Sequence, residues 1–251
     1  MGANRKNAFL GLLIGILGML GAPLHAQGTD LASRFDDAFG TELRTPQTFE
    51  AIYESRFEQR IADLADGSDG RIGVAAVDLS TGDQIAVLGD QLFPMASTSK
   101  IAIAATYLDM AEKGQFSLTS EWPLLIPIRS AKFSSPAAPV REGKYMQAIE
   151  LIELMITRSS NPATDALLAA VGGPAEVTKW VRRQGIDDFS IDRDIATLVR
   201  DDGEYDPATW IDPRDAATPK AMVRLLQGLH RGDFLSETHR RVLLGAMSRT
   251  V

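Results

Sequence analysis

The chain has 251 residues, with 33 acidic against 26 basic side chains, three histidines and no cysteine. A net charge of −7 argues against nucleic acid or an anionic membrane surface as the main partner. Without cysteine there is no disulfide frame, thiol nucleophile, thiolate metal site or lipidated cysteine, and two downstream histidines nine residues apart, His230 and His239, make a poor zinc set. No metal or cofactor is expected.

At the N-terminus, Arg5 and Lys6 precede an apolar stretch over residues 9–20, and Leu24-His25-Ala26 offers a cleavage site. Residues 1–26 therefore read as an export signal. The stretch is shorter than the roughly 20 residues a membrane-spanning helix needs. A periplasmic or secreted protein without membrane contact after cleavage, and a monomer, is expected. Residues 27–48 are polar and of mixed charge and read as a linker, and 49–251 as one domain.

Within that domain Phe49, Ile52, Tyr53, Phe57, Ile61 and Leu64 recur at helical spacing until Gly67-Ser68-Asp69-Gly70 stops them. Residues 71–79 and 84–88 read as two strands joined by Ser80-Thr81-Gly82-Asp83, a hairpin. A helix beginning near Ser97 is apolar on nearly every face through Ala111 and belongs inside the domain. Residues 114–144, with Pro123, Pro127, Pro136 and Pro139, read as irregular. Helices are expected over 145–157, from an Asn161 cap with Pro162 at N1 to Val171, and over 174–183. A long acidic loop covers 186–217, and two helices end near His230 and Met247. A hairpin followed by many helices indicates an α+β fold. Two strands alone, however, make a poor sheet.

Ser97-Thr98-Ser99-Lys100 heads the apolar helix. Residues three apart are neighbours on a helix, so the Lys100 amine can meet the Ser97 hydroxyl. A desolvated lysine loses its proton more readily and can then accept one from serine. Taken alone, the pattern is equally served by Ser97 or Ser99 acting as an N-cap. A second element, Ser159-Ser160-Asn161-Pro162, lies between two helices. There Ser159 can relay a proton to a leaving nitrogen, and the Asn161 amide can hold both a substrate carbonyl and Lys100.

These elements, with Phe93-Pro94-Met95-Ala96 before the first and Asp212-Pro213-Arg214-Asp215-Ala216-Ala217-Thr218-Pro219 after the acidic loop, resemble the class A serine β-lactamases and their penicillin-binding relatives. The resemblance spans roughly residues 50–251 and implies a helical subdomain beside an antiparallel sheet. It implies Ser97 as the acylated nucleophile, Lys100 as base or relay, Ser159 as proton donor to the lactam nitrogen and Asn161 as a substrate-binding residue. Ser160 departs from the family's aspartate. In the family an arginine and an aspartate close the neck of an Ω loop. Counting back from Asp215 places that arginine at Arg200. The water-activating carboxylate then falls on Asp202, with Glu204 as the alternative and Asp206 beside the water.

The family's third motif, Lys-Thr/Ser-Gly, does not occur in the 251 residues. The sequence is therefore expected to be C-terminally truncated, with only the N-terminal hairpin of the sheet present. One missing oxyanion donor typically costs ~10²–10³ in rate. Three functions are in view. The first is β-lactam hydrolysis through a Ser97 acyl-enzyme, with a small-molecule β-lactam as the partner. The second is a penicillin-binding DD-peptidase or other serine amidase. The third is an inert or β-lactam-binding pseudoenzyme.

Overall fold

A computed structural model describes residues 55–66, 72–205 and 210–250. The segments read as an export signal (1–26) and a linker (27–48), residues 49–54, the expected stop at 67–70 and Asp206 lie outside them.

The first described helix, α1 (Arg56–Asp66), is followed by the expected hairpin, β1 (Val74–Val77) and β2 (Gln84–Val87), paired antiparallel from Val74 opposite Val87 to Val77 opposite Gln84. Gly73 begins the hairpin where a side chain would run into the Phe93 ring and Pro219, so this close approach requires glycine. A short strand β3 (Phe93–Pro94) and a 3₁₀ turn (Ala96–Thr98) lead into α2 (Ser99–Glu112).

As its composition requires, α2 is the centre of the core. Ala102, Ile103, Ala104, Ala105, Tyr107 and Leu108 have no exposed surface. Around it pack α3 (Ala148–Arg158), α4 (Asn161–Ala170), α5 (Pro174–Arg183) and α8 (Glu237–Met247). This is a helix buried on all sides rather than an amphipathic one. A short helix α6 (Ile195–Arg200) stands in the acidic loop, and α7 (Pro219–Arg231) lies against β1.

The strands exceed the single hairpin expected. Residues 114–144 are irregular only in part: β4 (Glu121–Pro127) and β5 (Val140–Gln147) form the longest ladder, with a register shift between Pro123 and Leu125, and residues 128–139 between them hold no helix or strand. Proline lacks an N–H donor, but an edge strand has one side without ladder bonds and tolerates it. In a two-stranded pair both strands are edges. Tyr145 and Met146 consequently belong to β5, and α3 starts at Ala148 behind a Gln147–Glu150 capping box. The acidic loop closes with β6 (Ala216–Ala217) paired to β3. The architecture is α+β, with three two-stranded antiparallel pairs among the described residues. None of the described helices is long and apolar enough to cross a membrane.

Candidate active site

Two constraints place Ser97 at the head of α2. The β3–β6 pairing and a hydrogen bond from Met95 N to Asp215 O (3.0 Å) fix the chain just before it. Ala96 is then forced to φ 46°, a left-handed conformation rare for a residue with a side chain. Such strain costs of order 1–3 kcal/mol and persists only where surrounding structure imposes it. The neighbouring hydroxyls are engaged within the turn: Thr98 Oγ1 donates to Met95 O (2.6 Å) and Ser99 Oγ to Ala96 O (2.8 Å). Neither Ser97 nor Ser99 caps α2; the N-cap position is Thr98, and its side chain makes no capping bond. The Ser97 hydroxyl is therefore left to the site.

The other half comes from the α3–α4 junction. Ser159 ends α3 in a left-handed conformation (φ 53°, ψ 36°). Ser160, not Asn161, is the N-cap of α4, its hydroxyl accepting from Ala163 N at 3.4 Å. Asn161 becomes the first helical residue, and its amide is released from capping.

The two halves meet at Lys100, which is 2% exposed. Its Nζ donates to Asn161 Oδ1 (2.9 Å), Ser159 Oγ (2.8 Å), Ser159 O (2.9 Å) and, at longer range, Ser97 Oγ (3.3 Å). Ser159 Oγ donates to Ser97 Oγ at 2.9 Å. Burial pulls the Lys100 amine below the ordinary lysine range, and the negative charge of Asp165 partly opposes it. The arrangement offers a hydroxyl nucleophile, a proton acceptor and a connecting hydroxyl within hydrogen-bond reach, the geometry nucleophilic catalysis needs.

The acidic loop departs from expectation at its neck. Asp215 does not pair with Arg200. Its Oδ2 accepts from Arg193 Nε (2.6 Å), and its Oδ1 accepts the amides of Asp192 and Arg193. Arg200 instead grips its neighbour Asp201 through two bonds (2.7 and 2.9 Å) and also holds Ser135. The reason is length. Counting 15 residues back from Asp215 presumed a loop of the family's size, whereas the observed neck closes 22 residues. Asp202 thus loses the arginine from which it was counted; the residue two beyond Arg193 is Ile195, buried at 7%.

Asp202 and Glu204 line a cavity of about 230 Å³ together with Ala96, Tyr205 and Trp210. Asp202 is exposed, and its main-chain carbonyl accepts from Lys132 Nζ. Glu204 is bound by Arg214 at 2.5 Å, and Arg214 also binds Asp212.

One residue at the site was not anticipated. Asp165 is 3% exposed, and its oxygens accept from Ile195 N (2.7 Å) and Ala196 N (2.9 Å). Its carboxyl is pushed up to about 6, chiefly by burial and also by Asp194; the two amides and Lys100 act the other way. The available signal was a lone acid in the apolar run Ala163–Ala170, four residues after Asn161. No group of three or more His, Asp or Glu side chains able to hold a metal occurs among the described residues.

An α+β fold with a serine–lysine centre at the head of a buried helix defines the class of protein. The chain belongs to the beta-lactamase enzyme family, whose sequence model matches residues 56–251. It is 33% identical over 189 residues to beta-lactamase CTX-M-4 of Salmonella typhimurium, covering 74% of this chain and 61% of that one. It is 34% identical over 187 residues to beta-lactamase CTX-M-25 of Escherichia coli, with the same coverage. The chain thus spans about three fifths of the length of these relatives. Among solved structures, a beta-lactamase from Chitinophaga pinensis superposes with a TM-score of 0.66 at 27% identity, covering 78% of this chain and 71% of that one. An ancestral class A beta-lactamase superposes at 0.64 with 36% identity, covering 78% and 72%.

Proposed function

We propose that the protein hydrolyses β-lactams through an acyl-enzyme on Ser97. The buried Lys100, in contact with Ser97, Ser159 and Asn161 at once, carries this reading. Ser97 Oγ attacks the lactam carbonyl, and its proton passes to neutral Lys100, directly or through Ser159. The C–N bond then breaks as Ser159 Oγ donates a proton to the departing nitrogen, and Lys100 returns a proton to Ser159. Asn161, free of capping, holds the substrate's side-chain amide. Water then attacks the ester and releases Ser97, with Asp202 or Glu204 as the carboxylate that activates it. Export through residues 1–26 belongs to the same proposal.

A second reading, a penicillin-binding peptidase or related serine amidase, shares the acylation step but keeps the acyl-enzyme. It is favoured by the grip of Arg214 on Glu204 and by Ile195 standing next to the neck. Intact mass after exposure to benzylpenicillin, with nitrocefin turnover measured in parallel, separates the two. A transient Ser97 adduct with turnover supports hydrolysis, and a lasting adduct without turnover supports the second reading. Neither adduct nor turnover rejects both.

A further inference from the structure

Tyr205 and Trp210 are 41% and 47% exposed in an acidic loop, and acyl transfer as described above uses neither ring. The rings stack, with centroids 5.5 Å apart and 22° between their planes, so they form one aromatic surface rather than two scattered apolar residues. The Arg214 guanidinium lies 5.3 Å from the Tyr205 centroid and is itself held by Glu204 and Asp212, which fixes the surface in place. Tyr205 is thus engaged by both Arg214 and Trp210, and Trp210 is the more open ring of the two.

This surface borders the cavity of about 230 Å³ whose other apolar lining is Pro94, Ala96 and Leu198. Ala96 immediately precedes Ser97, so the cavity begins one residue from the nucleophile. About 150 Å³ is enough to hold benzene, so the space suits a phenyl ring. Arg193 and Arg214, the two cations that line it, are both committed to carboxylates, whereas the Asp202 carboxylate accepts no hydrogen bond among the described residues. An anionic ligand group therefore meets uncompensated negative charge. The neck closes 22 residues against the fifteen of the family spacing, and the added length lies in the stretch that carries both rings.

We propose that the Tyr205–Trp210 surface and its cavity form a specificity subsite, built by this longer loop, that seats the acyl side chain of the β-lactam and selects an aromatic side chain without negative charge. The proposal rests on the Ser97 acyl-enzyme reading.

The test compares acylation of the full chain, followed by intact mass, by benzylpenicillin, which carries a phenylacetyl side chain, and by 6-aminopenicillanic acid, the same nucleus without it. In the wild type benzylpenicillin is expected to label about tenfold faster or more. Tyr205→Ala combined with Trp210→Ala should remove most of that preference and leave labelling by 6-aminopenicillanic acid unchanged; Tyr205→Phe combined with Trp210→Phe should restore the preference. An equal loss for both compounds would mean that the rings only support the loop, and an unchanged preference would place the side chain elsewhere; either result overturns the proposal. Carbenicillin, which adds an α-carboxylate to the same phenyl side chain, should label more slowly than benzylpenicillin, and equal rates would overturn the charge selection.

A second measurement needs no acylation. In Ser97→Ala, saturation-transfer NMR with benzylpenicillin should show its phenyl protons receiving more saturation than its thiazolidine methyl groups, a difference lost when both rings are replaced by alanine. Even transfer, or none, would overturn the subsite. Preferential phenyl transfer without any adduct in the wild type would instead remove the acyl-enzyme reading and leave the aromatic site standing.

Discussion

Asp165→Asn should change how stability depends on pH, because the carboxyl it removes is buried and raised in pKa. Burial pushes the Asp165 carboxyl up to about 6 from its ordinary value of 3.8. Below about pH 4 both states are protonated and the group contributes nothing. As pH rises toward 6 the unfolded chain releases its proton first, so stability falls, and it levels off above the folded value. Two units at ~1.4 kcal/mol each make the loss about 3 kcal/mol. Asparagine has no such slope. It instead turns an NH₂ toward one of the two α6 amides, a pH-independent cost of about 1–3 kcal/mol. Urea unfolding from pH 4 to 7.5 should therefore show the wild type losing ground to the variant by about 3 kcal/mol across pH 4–6, with parallel curves above. Parallel curves throughout would refute the assignment of a buried, burial-shifted carboxyl.

Further outcomes follow from the site and the loop. Ser97→Ala should lose all benzylpenicillin adduct by intact mass while keeping the wild-type circular dichroism spectrum, since its hydroxyl supports no capping bond. Lys100→Met should keep the fold and slow adduct formation by ~10²–10⁴, the usual worth of a positioned proton acceptor; an unchanged rate would assign that role elsewhere. Arg193→Ala leaves Asp215, 5% exposed, with backbone amides alone, and should lower stability by about 3 kcal/mol or more and speed proteolysis within 194–214. Arg200→Ala should leave the neck closed, with cleavage confined near Ser135 and Asp201.

The contrast between Arg193 and Arg200 marks the boundary of what the chain reveals before it folds. Both arginines precede Asp215 in an acidic stretch, and nothing local distinguishes them. The choice is made by a loop closure over 22 residues and by β6 reaching β3. The β4–β5 ladder was hidden for a similar reason: its prolines read as breaks, because whether a missing N–H matters depends on which side of the strand has a partner. Asn161 was expected to be a cap, and Ser160 took that place, a shift of one residue that freed the amide for Lys100.

The Ser97–Lys100 pair was legible because its relation is short-range, whereas Ser159 and Asn161 stood out through the resemblance of their motif, and their contacts with Lys100 span 59 and 61 residues of chain. A three-residue spacing places serine and lysine on one helix face, and an all-apolar helix must be buried wherever it goes. The α+β class follows from the same local periodicities. The tertiary structure alone decided which arginine closes the acidic loop, which strands pair, and that Asp165 is buried with its carboxylate on the first amides of α6. Those outcomes depend on burial and on contacts between distant segments, and a carboxylate's environment, unlike its spacing, is not written in its neighbours along the chain.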